Sequence, residues 1–145
     1  MRWDKLTQKV QETLQQATDL ADQSGQQAIE PEHILIVILE DKEGIGAQII
    51  SKAGVDPAAM SVKARDLLRK FPHVEGAPGH TLSPRLHRIF GQAWEEAQHL
   101  KDEYLSVEHI LIAMAQVDSG DLSQLFAKSE LDREKIWQAL QTVRG

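Results

Sequence analysis

Two dipeptides, Glu32-His33 and Glu108-His109, set a carboxylate beside an imidazole, the pairing used in general acid–base catalysis. Neighbouring residues on a helix point about 100° apart, so the two groups of each pair would not face one another. Each Glu would instead fall in the first turn of a helix, where a carboxylate meets the dipole and unpaired N–H groups. Each His precedes a buried Ile-Leu-Ile run and reads as a hydrogen-bonded side chain at the edge of the core. Two copies of one pair suit a requirement of the fold better than a catalytic centre. The six histidines (33, 73, 80, 87, 99 and 109) contain no i, i+4 pair and no HExxH. Positions 73, 80 and 87 are seven apart but lack carboxylates at ligand spacing, so no metal is expected. With no cysteine there is neither a disulfide framework nor a thiolate zinc site nor a thiol nucleophile. The glycines lack the lysine and following helix of a phosphate-cradling loop, and no Gly-x-Ser-x-Gly elbow occurs. No residue is assigned as catalytic.

These residues repeat because the chain repeats. Sliding the sequence by 76 residues aligns Glu32–Ile36 with Glu108–Ile112 and, without a gap, pairs Leu6 with Leu82, Ala17 with Ala93 and Ala21 with Ala97. Gly44 and Gly120, Gln48 and Gln124, Lys52 and Lys128, and Asp56 and Asp132 also fall together, which marks a tandem duplication. Each copy reads as four helices. The first carries the stripe Val10, Leu14, Ala17, Ala21, or Leu86, Phe90, Ala93, Ala97 in the second copy, opened by Thr7 or Ser83. The next begins at Glu30-Pro31 or Ser106-Val107 and is apolar all round, as a central buried helix is. A short third helix carries Ile45, Ile49 and Ile50, or Leu122, Leu125 and Phe126. The fourth starts at Asp56 or Asp132 as N-cap. The expected fold is therefore all-α: repeat 1 over 1–70, a Pro/Gly-rich linker over 71–81, and repeat 2 over 82–145. The two four-helix repeats should pack with pseudo-twofold symmetry and leave a groove along their seam.

The balance of 22 acidic against 16 basic side chains over 145 residues, net −6, argues against nucleic acid as a partner. A helical nucleic-acid regulator is thus a weak alternative. The longest apolar run, Ile34 to Leu39, is too short for a membrane span, and the first residues lack a secretory h-region, so a soluble cytoplasmic domain is expected. Thr7 and Ser83 read as N-caps, or as hydroxyls lining a small polar pocket within each repeat beside Glu32 and Glu108. Ile89, Trp94 and Leu100 widen the apolar face of the fifth helix, either for packing between repeats or as a groove for segments of other proteins.

The order helix, EHILI, Gly, short helix, Asp-capped helix, together with MRWDKLTQKV, FPHVEG, KDEYLSVEHILIAM and ALQTVRG, resembles the N-terminal domain of Clp-class AAA+ chaperones. Within that class it is more similar to the ClpB-type disaggregases than to the protease-linked ClpA and ClpC types. The resemblance covers the whole chain. It implies a substrate-handling module that binds unfolded or aggregated polypeptide in a groove between the repeats. It also implies a longer protein whose ATPase rings use ATP and Mg, form a hexamer and work with the DnaK system. The isolated domain would be monomeric and hold no cofactor itself. Family residues tied to substrate handling match Thr7, Asp102 and Glu108. Acidic residues matching Glu32 and Glu108, near hydroxyls matching Thr7 and Ser83, engage positively charged groups in ClpC-type domains. Apolar groove positions of relatives fall on Gln92 and Glu96, a departure that turns attention to Val10, Ile89, Trp94 and His109. The alternative is an adaptor-docking domain of a ClpA/ClpC-type chaperone.

Overall fold

In a computed structural model, which describes residues 3–74 and 81–144, eight helices follow the order expected from the duplication. They are α1 (Gln8–Gln23), α2 (Pro31–Glu40), α3 (Ile45–Lys52), α4 (Pro57–Leu68), α5 (Pro84–His99), α6 (Val107–Gln116), α7 (Asp121–Lys128) and α8 (Arg133–Arg144). The starts are set chemically. Thr7 Oγ1 accepts from the backbone N–H of Val10 at 3.2 Å, and Ser83 Oγ accepts from that of Leu86 at 3.1 Å. Asp56 Oδ1 accepts from Ala58 at 3.1 Å and Asp132 Oδ1 from Lys135 at 2.8 Å, each filling one of the free donors of a helix N-terminus. α2 and α6 are buried on nearly every side, from Pro31 to Leu39 save Val37 and from Val107 to Met114. They form the centre around which the amphipathic α1 and α5 pack.

The two copies exchange parts. Ala28–Ile29 (β1) pairs in parallel with Thr81–Leu82 (β2), and Leu6 bridges Leu105 in the same sense. In the duplicated numbering Leu6 matches Leu82 and Leu105 matches Ile29, so these are the same contact made twice, each time between copies. The backbone hydrogen bonds repeat it: Thr7 N donates to Leu105 O at 3.0 Å, and Ser83 N to Ile29 O at 3.0 Å. The third helices are traded as well, α3 lying mainly on α8 and α7 on α4. Gly46 lets α3 approach closely, because a Cβ there would collide with Ile38 of α2 and meet Val107 of α6. Hence the pseudo-twofold arrangement is interlocked, and one core runs through both copies. These short strands were not signalled by composition. Of the expected linker 71–81, residues 75–80, with His80, lie outside the described residues. Phe71 sits against Arg85, Val74 N donates to Gly25 O at 2.6 Å, and Thr81 opens β2.

Candidate functional site

Both Glu-His pairs are built into equivalent hubs at the starts of α2 and α6. His33 Nδ1 accepts the N–H of Glu30 at 2.9 Å, and His109 Nδ1 accepts that of Ser106 at 2.9 Å. With Nδ1 thus accepting, the proton sits on Nε2 and is donated onward. His33 Nε2 gives it to Gln26 Oε1 at 2.6 Å, and His109 Nε2 to Asp102 Oδ2 at 2.7 Å. Each imidazole is wholly buried and spends its two nitrogens on the fold, with neither aimed at its neighbouring Glu. Beyond the imidazoles the hubs reach the end of the fourth helix of their own copy. Gln26 Nε2 donates to Leu68 O at 3.0 Å, while Asp102 Oδ2 accepts from Arg144 Nη2 at 2.9 Å.

The carboxylates of the two pairs each carry a guanidinium, supplied from non-equivalent positions. Arg85 donates to Glu32 Oε1 at 2.8 Å and Oε2 at 3.1 Å, to Glu30 Oε1 at 3.0 Å and to Ser119 O at 2.8 Å, with its guanidinium over Phe71. Glu108 Oε2 instead accepts from Arg144 Nη2 at 2.9 Å. Lys9, which matches Arg85 in the duplication, turns to Asp41 at 3.1 Å. Burial alone would lower the pKa of Arg85; its bonds to Glu32 and Glu30 outweigh this and raise it. Burial pushes Asp102 up, but hydrogen bonds from Arg144 and His109 outweigh it and hold the carboxyl below its ordinary value. Glu108 is likewise pushed up by burial and brought below the usual range by Ser106, its own backbone N–H and Arg144.

The sequence-derived site residues separate into three groups. Thr7, Asp102 and Glu108 are brought to one place, since Thr7 hydrogen-bonds Leu105 between the two acids. Ser83 and Glu32 meet in the same way across the β1–β2 pair. The backbone pairing that draws Thr7 towards the Glu108 segment and Ser83 towards the Glu32 segment thus runs between copies, not within each repeat as expected, while both hydroxyls are spent as N-caps. Val10 and Ile89 are fully enclosed core side chains and His109 is spent on its hub, so none of the three presents a surface in this arrangement. Trp94 is half-buried, its Nε1 enclosed without a hydrogen-bond partner. On the same helix Glu96 is buried and gripped by Arg133 at 2.8 Å, with Gln92 Nε2 3.4 Å from its other oxygen. A polar cluster thus occupies that part of α5. The features missing from the sequence reading are Arg85 and Arg144, together with exposed Trp3 and Tyr104, which lie on the two segments that the Leu6–Leu105 bridge joins. Lys5 joins that surface, its ammonium 5.2 Å from the Tyr104 ring and 3.1 Å from Glu103.

Among the clefts where the copies meet, two are the more spacious. One, of about 820 Å³, is walled by Leu39, Ala47, Pro57, Ala58 and Val143; the other, of about 650 Å³, lies over Phe71, Arg85, Arg88 and Glu32. Neither is lined by Thr7 or Glu108. Among the described residues no group of three or more His, Asp or Glu is placed to hold a metal ion, and no helix is long and apolar enough to cross a membrane.

Glu40, Glu96, Asp102 and Glu108 are all held below their ordinary values by arginine, hydroxyl or imidazole partners. As the pH falls the unfolded chain takes up protons first. The stability these groups lend is whole at neutral pH and is lost on moving down through and below the ordinary carboxylate range, about pH 4. Thermal melts followed by circular dichroism from pH 7 to 3 should stay level and then fall steeply, and Glu96→Gln should flatten the fall. An undiminished slope in that variant would count against the assignment.

Interlocked copies of a four-helix unit, joined by two exchanged backbone bridges, define a duplicated all-α domain. A family model described as the Clp repeat (R) N-terminal domain matches residues 5–129. Relatives named chaperone protein ClpB align along nearly the whole chain. The Bacillus cereus protein is 33% identical over 100% of this chain and 17% of its own length, and that of Bdellovibrio bacteriovorus 37% over 97% and 16%. The chain therefore spans about one-sixth of these relatives. Among solved structures, the Hsp104 N-terminal domain from Candida albicans superposes with a TM-score of 0.81 at 20% identity, covering 97% of this chain and 92% of that one. A ClpV N-domain in complex with a VipB peptide gives 0.76 at 20% identity, covering 97% and 89%. The chain belongs to the Clp repeat N-terminal domain family.

Proposed function

We propose that the chain is the polypeptide-binding N-terminal domain of a ClpB-type disaggregase, taking hold of unfolded or aggregated segments in the cytoplasm. In this reading ATP and Mg serve AAA+ rings elsewhere in a longer, hexameric protein that works with the DnaK system. The observation that carries it is the Leu6–Leu105 bridge, which joins a segment bearing exposed Trp3 and the N-cap Thr7 to one bearing exposed Tyr104 and the acids Asp102 and Glu108. Two aromatic rings with a carboxylate border suit extended chains bearing apolar and basic residues, and make little demand on sequence. The ClpV N-domain solved with a peptide shares the fold and supports polypeptide as the ligand class. Weak capture by one such domain gains strength when several are displayed on one ring.

In anisotropy titrations with labelled, reduced and alkylated lactalbumin, Thr7→Ala combined with Glu108→Ala should weaken binding at least fivefold while helicity is kept. Equal binding by the folded variant would overturn this placement of the site.

A further inference from the structure

The duplication supplies an internal comparison at the two hubs. In the first copy two separate jobs fall to two separate groups. The buried Gln26 side chain fastens the end of α4 through Leu68 O, and Arg85 neutralises Glu32 from α5. In the second copy one side chain does both. Arg144 matches Leu68 in the duplication; its Nη2 lies 2.9 Å from Asp102 Oδ2, which ties down the end of α8, and 2.9 Å from Glu108 Oε2. Lys9, placed to cover Glu108 as Arg85 covers Glu32, is engaged with Asp41 instead.

The two guanidinium groups are held unequally. Arg85 makes four hydrogen bonds to three residues and lies over a ring. Arg144 contributes a single nitrogen to two carboxylates, stands in the last turn of its helix and is about one-third exposed. Among the described residues, both of its carboxylate bonds run through that one nitrogen. A planar guanidinium arriving from outside, free to orient, can offer two parallel donors to the same oxygens, a geometry that a tethered last-turn arginine does not achieve. Any cation that takes both carboxylates must also release the Arg144 tie at the last turn of α8, because the same nitrogen serves both.

We propose that Arg144 is a releasable internal occupant of the Asp102–Glu108 carboxylate pair, and that an arginine side chain of a bound polypeptide takes its place and frees the last turn of α8. This rests on the polypeptide-binding reading above and adds a competitor and a conformational consequence to it. The first-copy hub has no such exchange, since the end of α4 is fastened by an uncharged, buried amide.

The test uses the full 145-residue chain and three labelled nine-residue peptides, identical but for a central arginine, lysine or citrulline. Arg144→Gln should bind the arginine peptide at least fivefold tighter than the unchanged chain, the lysine peptide by a smaller factor, and the citrulline peptide equally. Equal affinity of both proteins for the arginine peptide, or equal tightening for citrulline, would overturn the proposal. Should Arg144→Gln fail to fold, the unchanged chain answers alone. Adding the arginine peptide should speed amide exchange in residues 141–144 and shift the Arg144 side-chain Nε–H resonance; saturation by the peptide without either change would overturn it. Unfolded lactalbumin separates the two readings. If it binds the unchanged chain while Arg144→Gln has no effect on the arginine peptide, the occupant is wrong and polypeptide binding stands. If neither probe binds either protein, both fall.

Discussion

Replacing Arg85 by Ala is expected to cost about 3–5 kcal/mol, a fall in melting temperature on the order of 10 °C for a domain of this size. The reason is what the substitution leaves behind. The Glu32 side chain is only 1% exposed and both its oxygens are taken by Arg85. Without that guanidinium a carboxylate stays in the interior with no countercharge, while Ser119 O loses a donor as well. Two further variants make the account specific. Glu32→Gln in the Arg85→Ala background should recover part of the loss, because an amide carries no charge to strand. Arg65→Ala breaks an equally well-formed pair with Glu40, but one in which both side chains are over 40% exposed, and should cost no more than about 1 kcal/mol. Thermal or urea unfolding of the four proteins decides it. Similar losses for Arg85→Ala and Arg65→Ala would reject the buried-charge explanation.

Phe90→Ala should lose a comparable amount, about 3–5 kcal/mol. Phe90 is wholly enclosed and among the largest of the fully buried side chains, so its removal leaves a void that the surrounding helices can only partly close. Its counterpart in the first copy is Leu14, which is only partly buried against the same core. Leu14→Ala should therefore cost about 1–2 kcal/mol, since much of that side chain already meets water. Urea unfolding with a common slope gives both numbers. Equal losses would mean that the copies contribute alike, against the burial difference.

The helices were legible because their signals are local. Thr7, Ser83, Asp56 and Asp132 are caps in the structure as their positions before apolar periods required, and the all-apolar ILIVIL run is the buried centre it looked to be. The reading of His33 and His109 as hydrogen-bonded core-edge groups also follows from local order, though their partners Gln26 and Asp102 precede the helix in a loop. Arg85 and Arg144 carried no such signal. Each meets its glutamate across a large separation in the chain, 53 and 36 residues, where no periodicity links the two. The same holds for the crossing of Thr7 to the Glu108 side and Ser83 to the Glu32 side. A repeat shows which residues are equivalent but leaves open whether equivalents pair within a copy or between copies. Val10 and Ile89 show a related limit: a helical wheel marks an apolar face, and here the shared core encloses it completely.

The exchanged bridges also set an order of events. Leu6 is synthesised well before its backbone partner Leu105, which lies far into the second copy. Growing chain therefore emerges with a strap that has nothing to fasten to until the segment between α5 and α6 is made. Ala28 and Ile29 wait less, for Thr81 and Leu82. What was duplicated is a stretch of about seventy-six residues; what can close its own backbone is the pair, so the unit that was copied is smaller than the unit that folds.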